Sequence, residues 1–330
     1  MKKLIATLIS LITVIAMFSG TAASAQEKMS YEQMQAIRED YNKNYFGKTY
    51  TTNDWIYTPS LREIYSDTEV DEEGDPELIA YEIVYEITKY RNKNTNSVVI
   101  PSSINGNKIV YVGDLALRKR PNLKKVTYSN GILSVAFHAF YKNKNIKKVV
   151  LPTSISFIGS EAFLNCENLK KVTLPKNVDI SMSAFKNCKN IKEFNYKGTS
   201  DKYGESYILK EAFANCVKLE KINLGNNSSI GKKAFYNCKS LKSVSIPEST
   251  EVILNKAFYN CKNLSKVSFK NTKKAPYIGK NTFDNTTKGI EFVVKNKKVA
   301  KSLKNKLKDS GVKNAKILIG KKVVYNNING

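Results

Sequence analysis

The chain has 330 residues, with 54 Lys and Arg against 29 Asp and Glu, a formal net charge of +25. It contains five Cys and one His. That leaves no zinc site of the His type, and any Ser or Cys triad would have a single residue to serve as base.

Residues 1–25 read as an export signal. Lys2 and Lys3 form a basic start, residues 4–18 an apolar core, and Ala23-Ser24-Ala25 a small-residue cleavage site. The apolar run is shorter than the ~20 residues a spanning helix needs. No second long apolar segment follows, so no membrane span is expected and the mature chain should be soluble. No Cys lies near the cleavage site, which argues against a bacterial lipid anchor.

Residues 26–80 form an acidic N-terminal segment. Ser30 with Gln33 makes a capping box and Met29 with Met34 a staple, so a short helix is expected to about residue 42. Trp55 and several Tyr follow, as a cap over a first repeat would need. The acidic run 67–77, DTEVDEEGDPE, lacks the glycine spacing of a calcium loop and reads as a solvated linker. Residues 81–112 read as an opening β-hairpin element. Ile83, Tyr85 and Ile87 alternate, residues 98–100 form a strand, and Asn105-Gly106 marks a turn.

Residues 113–294 repeat one unit, clearest at 162–175, AFLNCENLKKVTLP. Its Ala-Phe pair recurs at Ala139, Ala162, Ala184, Ala212, Ala234 and Ala257, with weaker copies at Ala116-Leu117 and Thr282-Phe283. The steps are 23, 23, 22, 28, 22, 23 and 25 residues. A period in the twenties with Leu-rich strands is the signature of a leucine-rich solenoid. One copy has no way to bury its own apolar face, whereas stacked neighbours do. Four residues before each anchor stands an aliphatic residue, such as Ile158 or Ile230. Pairs such as Val149/Leu151 and Val172/Leu174 follow ten and twelve after it and mark a strand with one buried face.

The outward strand positions are basic. Lys125, Lys148, Lys171, Lys221 and Lys266 fall nine residues after their anchors, and Lys124, Lys147, Lys170, Lys192 and Lys242 eight after. Strands stacked about 4.8 Å apart would turn these into a basic ladder along one face. The plain alternative is a solvated edge that keeps parallel strands soluble.

The AFxNCxxLxxVxLP units, preceded by Ile158-Gly159, Ile230-Gly231 or Ile278-Gly279, resemble the BspA-like leucine-rich repeats of bacterial surface proteins. The resemblance covers roughly residues 81–320. It implies a curved solenoid of about eight repeats, with a parallel β-sheet on one face and small α/β caps, used for adhesion or protein binding. It brings no catalytic residues.

The 28-residue step holds an insertion near residues 197–207, KGTSDKYGESY, where Tyr203 and Tyr207 are the candidates for specific contact. Residues 295–320 read as a helix-strand cap, with Val299, Leu303 and Leu307 on one helical face and residues 315–319 as a closing strand. Residues 321–330 read as a tail without a cell-wall sorting signal.

Cys166, Cys188, Cys216, Cys238 and Cys261 occupy one repeat position. Stacked equivalents point the same way and do not converge as a disulfide requires, so buried free thiols are expected. The Asn before each should bond to backbone in a turn, and this ladder should fade in the early copies, where Arg120 and Asn143 replace Cys. His138 falls at a variable position and should be exposed.

No P-loop or dinucleotide fingerprint occurs, and no cofactor, metal or catalysis is expected; a carboxylate hydrolase in the N-terminal segment is the distant alternative. Residues 26–80 carry 5 basic and 13 acidic side chains, net −8, and residues 81–330 carry 47 and 16, net +31. Such asymmetry bears on partners, not fold. The expected partner is an extracellular protein or a polyanion such as teichoic acid or a glycosaminoglycan, bound by a monomer. Without a reader motif, specific nucleic-acid recognition is not expected. The alternative to adhesion is an envelope component held electrostatically on anionic wall polymer.

Overall fold

The structure, a computed structural model, describes residues 29–70, 76–174, 178–195, 207–225 and 229–329. The export signal, residues 71–75 of the acidic run, and residues 197–206 with Tyr203 lie outside these. The rest of the run read as a solvated linker is strand instead, residues 67–70 ending Trp55–Val70 and residues 76–77 beginning Pro76–Tyr90, because two long strands continue the backbone pairing through the acidic residues. The chain divides into two compact units, Met1–Lys48 with Pro59–Val84, and Thr49–Thr58 with Tyr85–Gly330.

In the first unit, helix α1 (Tyr31–Asn44) begins at a complete capping box. The Ser30 hydroxyl accepts the Gln33 N–H at 3.2 Å, and Gln33 Oε1 accepts the Ser30 N–H at 2.7 Å. The Met29 N–H donates to the Ile79 carbonyl at 2.7 Å, and the Tyr41 hydroxyl to the Pro59 carbonyl at 3.2 Å. Met29, Ile79, Ala80 and Val84 are buried.

The second unit opens on an aromatic cluster. Tyr57 stacks on Tyr50 at 5.4 Å and meets Tyr85 edge-on at 5.8 Å, while Trp55 lies 4.5 Å from Tyr90. The register shifts between Tyr85 and Glu86 where the strand Pro76–Tyr90 pairs in parallel with Asn107–Val112. The extra residue lies on the partner strand, where Ile109 and Val110 are buried in succession. Tyr85 and Ile87 are buried as the alternation predicts, while Ile83 is only half-buried. Asn105 (φ 50°) and Gly106 (φ 79°) make the tight hairpin turn between Ser103–Ile104 and Asn107–Val112.

Each coil then contributes two strand segments. The longer ones, Ser97–Ile100, Lys125–Tyr128, Lys148–Val150 and Lys171–Thr173, pair in parallel and in register. Glu193–Asn195 pairs with Lys221–Asn223, and Ser243–Ile246, Lys266–Phe269 and Glu291–Val294 continue the series. The sequence reading places the parallel sheet on one face only. The structure adds a second parallel ladder, built around the aliphatic residue four before each anchor: Ser134–Val135, Phe157–Ile158, Asp179–Ile180, Tyr207–Ile208, Ser229–Ile230, Val252–Ile253 and Tyr277–Ile278. The backbones approach closely at Gly231, where a Cβ would lie 2.6 Å from the Leu209 carbonyl carbon, although Ala136, Ser181, Leu209 and Leu254 hold the same repeat position in other coils.

Rows of like side chains fill the core between the ladders. Phe140, Phe163, Phe185, Phe213, Phe235, Phe258 and Phe283 are fully buried and stack with centroids 5.1 to 5.6 Å apart, within 10° of parallel. Backbone bonds lock the same row: the Phe163 N–H donates to the Ala184 carbonyl, and that of Phe213 to Ala234, each at 2.8 Å. These bonds satisfy turn amides that no strand partner reaches.

The five cysteines are buried and unpaired. Each thiol donates to the Phe carbonyl of the preceding coil, as Cys216 does to Phe185 at 3.3 Å and Cys261 to Phe235 at 3.2 Å. In the early coils Asn143 Nδ2 makes the equivalent bond to the Leu117 carbonyl at 2.7 Å, and the Arg120 guanidinium bonds the Tyr90 carbonyl. Burial pushes the Cys216 thiol up to about 12, so it holds almost no thiolate at neutral pH. Cys216→Ser is expected to destabilise by about 1–3 kcal/mol, because the shorter C–O bond draws the buried hydroxyl back from the Phe185 carbonyl that the thiol meets at 3.3 Å and leaves it poorly satisfied. Reductant should leave the unfolding midpoint of the native chain unchanged; a drop would mean that the thiols are paired.

The neighbouring Asn row departs from expectation. These residues bond to one another rather than to backbone: Asn187 Nδ2 reaches Asn165 Oδ1 at 2.7 Å, Asn215 reaches Asn187 at 2.8 Å, and Asn237 reaches Asn215 at 2.8 Å. Their φ angles, 62° or 63° from Asn165 to Asn237, are ones Asn tolerates well. Stacking at one coil spacing brings identical amides within reach, so each donates to the last.

The stack is closed by helix α2 (Lys297–Lys306), whose first turn is capped by Asn296 Oδ1 accepting the Val299 N–H at 2.9 Å. Ala315–Ile319 pairs in parallel with Glu291–Val294. The segment read as a tail is ordered: Lys322–Ile328 adds an antiparallel edge strand after a turn at Gly320.

Candidate binding face

The lysines singled out in the sequence are all exposed in the structure. Lys125, Lys148 and Lys171 each flank a buried valine, because the strand alternates with a period of two. Lys125 is in direct register with Lys148, and Lys148 with Lys171. Lys124, Lys147 and Lys170 stack beside them, joined by backbone bonds from Lys147 N–H to Lys124 O at 2.8 Å and Lys170 N–H to Lys147 O at 2.9 Å. Thr127, Val150 and Thr173 form the next outward row of the same strands. Among the described residues no carboxylate pairs with any of these six lysines. Like charges placed directly opposite across strands are destabilising, so this face holds positive charge against its own stability.

The remaining lysines do not extend the ladder evenly. Lys192 is followed in the stack by Glu220, whose N–H donates to the Lys192 carbonyl at 2.8 Å. Glu193 takes the next outward strand position and pairs with Lys221 at 3.2 Å. Lys242 stands between Glu220 and Ser265, and Lys266 is flanked by Ser243 and Glu291. The continuous ladder expected from spacing is therefore a concentrated patch on three coils, followed by mixed charge. Tyr207 joins the other sheet, half-buried and in register with Ser229, so it is not brought to the lysine face.

The turn just before each anchor forms a second charged edge. Its residues, from Leu115 through His138, Glu161, Ser183, Glu211, Lys233 and Lys256 to Asn281, all have φ between 54° and 59°. His138 is not the exposed residue expected: its side chain is 21% exposed, pairs with Glu161 and lies 4.9 Å from the Tyr141 ring. Further along, Glu211 is held between Lys186 at 2.5 Å and Lys233 at 3.8 Å. Burial raises its carboxyl, but Lys186, Lys233 and Lys210 outweigh that and hold it below the usual carboxylate range. Beside this edge Tyr236 and Tyr259 stack at 5.2 Å, with Lys233 and Lys256 each 5.6 Å over a ring. The sequence reading treats this position only as variable; the signal in it is the change from acid to lysine between Glu211 and Lys233. Among the described residues no three His, Cys, Asp or Glu come together as metal ligands, and no helix is long and apolar enough to cross a membrane.

Residues 86–208 and 206–328 each match the family model for a BspA type leucine-rich repeat region, with six copies. No curated protein matches the chain. A leucine-rich repeat protein from Bacteroides ovatus is similar in structure, with a TM-score of 0.53 at 19% identity over 82% of this chain and 71% of that one. A leucine-rich cell surface protein from Faecalibacterium prausnitzii gives 0.52 at 17% identity over 82% and 70%. At these identities the likeness shows the fold alone.

Proposed function

Because this chain belongs to the BspA-type leucine-rich repeat family, whose members are bacterial surface proteins, we propose that it is an exported, non-enzymatic binding solenoid. Its basic face would hold an anionic or protein partner outside the cell in adhesion. The observation that carries this reading is the patch of six exposed lysines in register without an internal counter-charge. A basic n-region, apolar core and Ala-Ser-Ala site at residues 1–25 support export. The net +31 over residues 81–330 favours a second reading, retention on anionic wall polymer through charge alone.

The two readings separate in a salt series on purified cell wall and on immobilised heparin, using the mature chain and a form lacking residues 197–207. Specific adhesion predicts a fraction that survives moderate salt and is lost with the deletion. Release of both proteins together at modest salt supports the charge tether, since screening shortens the reach of exposed charges. No retention at low salt would sink both.

A further inference from the structure

The turn edge of the last coils carries a basin of about 360 Å³ lined by Lys232, Lys233, Asn255, Lys256, Lys280 and Asn281. Four of the six are cationic, two are amides, and none is apolar or acidic. Its floor is fixed by bonds between coils. The Lys233 N–H donates to the Asn255 carbonyl at 3.1 Å, the Lys256 N–H to the Lys280 carbonyl at 3.1 Å, and Asn255 Oδ1 accepts the Lys280 N–H at 3.0 Å. Lys233 and Lys256 are steadied over the stacked Tyr236 and Tyr259 rings.

The same edge already holds a carboxylate of the chain's own. One coil earlier, Glu211 sits between lysines of the two flanking coils, Lys186 and Lys233. In the next two coils the residue equivalent to Glu211 is itself a lysine, Lys233 and then Lys256. The internal carboxylate ends with Glu211 and the lysines continue past it. Asp284, after Tyr259 in the tyrosine row, is the nearest acid along that row.

We propose that this edge is a second binding site, separate from the strand-face lysines, for an acidic polysaccharide lying along the stack. Its carboxylates take the place that Glu211 occupies one coil before. The Tyr236–Tyr259 spacing of 5.2 Å sets the step between successive charges, and an extended glycan advances by a comparable step per sugar. A basin whose lining residues are all lysines or asparagines favours a glycan over a protein, whose interfaces close around an apolar core. The amides of Asn255 and Asn281 suit sugar hydroxyls. This inference deepens the reading of the chain as an extracellular binding protein, and names a site independent of the strand-face ladder.

The test titrates the full mature chain with oligogalacturonate, with poly-glutamate of equal charge, and with polyphosphate. Wild type is compared with the triple variant Lys232→Gln, Lys256→Gln, Lys280→Gln, and with Lys147→Glu, Lys148→Glu on the strand face. Circular dichroism checks that each variant is folded. The expected result is that oligogalacturonate affinity falls at least tenfold in the edge variant, and less than twofold in the strand-face variant. Lys256→Arg should retain it, and Tyr236→Leu with Tyr259→Leu should weaken it severalfold by releasing the lysine stems. Equal loss in both lysine variants would overturn the separate site and leave the general polyanion reading standing. Poly-glutamate or polyphosphate bound as tightly as the glycan would overturn the polysaccharide assignment, and absence of oligogalacturonate binding at low salt would overturn the proposal.

Discussion

Phe213→Ala is expected to lower the stability of the repeat stack by about 3–5 kcal/mol. The ring is fully buried, 5.4 Å from Phe185 on one side and 5.4 Å from Phe235 on the other, with the edge of Phe194 at 4.3 Å. The neighbours are held by the Phe185–Ala212 and Phe213–Ala234 backbone bonds, so they have little freedom to close the gap. The loss therefore combines the transfer term with most of the cavity term. A stack is stabilised by nearest-neighbour interfaces, so a defect in the middle removes two interfaces at once. Urea unfolding followed by circular dichroism should show an earlier midpoint, and a broadened or two-step transition as the halves uncouple. Phe283→Ala, with one stacked neighbour of the row, Phe258, should cost less. A change below about 1 kcal/mol at Phe213, well under the usual loss for a buried ring, would refute the column as the organising core.

Lys147→Glu with Lys148→Glu is expected to move stability and binding in opposite directions. Each substitution replaces a positive with a negative charge in the centre of the six-lysine patch. At about 1 kcal/mol per charge near an anionic surface, reduced by screening, the retention carried by the strand face at low salt should fall roughly a hundredfold, read on heparin or cell wall in the Lys232→Gln, Lys256→Gln, Lys280→Gln background so that the edge site does not mask it. Stability should rise by about 0.2–1 kcal/mol, because a carboxylate at position 148 would attract Lys125 and Lys171, which the native lysine repels. The wild-type chain already uses this arrangement further along the stack, in the separate strand pair Glu193–Asn195 and Lys221–Asn223, where Glu193 pairs with Lys221. Lower stability would show that the lysines support the fold. Unchanged retention would reduce them to a solvated edge that keeps the sheet from pairing further.

Much of the architecture is legible in the sequence because every coil sees the same surroundings. The aliphatic residue before each anchor, the Ala-Phe pair and the Cys three residues on are buried for one reason repeated along the chain. The strand Pro76–Tyr90 is less legible: its register shift against Asn107–Val112 at Tyr85 is a local departure that a period of two does not encode. The second ladder escapes a reading by period because its strands are two residues long, below the length at which alternation is visible.

Charge neighbours are harder to read than core neighbours. The period alone carries the coil, the buried rows and the outward direction of the lysines, since side-chain direction follows from local geometry within one repeat. Contacts such as Glu211 with Lys186 and Lys233, His138 with Glu161, and each Asn with the next join residues 22 to 28 positions apart. Their existence depends on register between coils and on which rotamer reaches across one strand spacing. That is why the tertiary structure breaks the lysine ladder at Glu193, turns the asparagines toward one another, and gathers the last coils' lysines into a basin. A core row needs only the same apolar residue in each copy, whereas an ion pair needs opposite charges in adjacent copies at matched height.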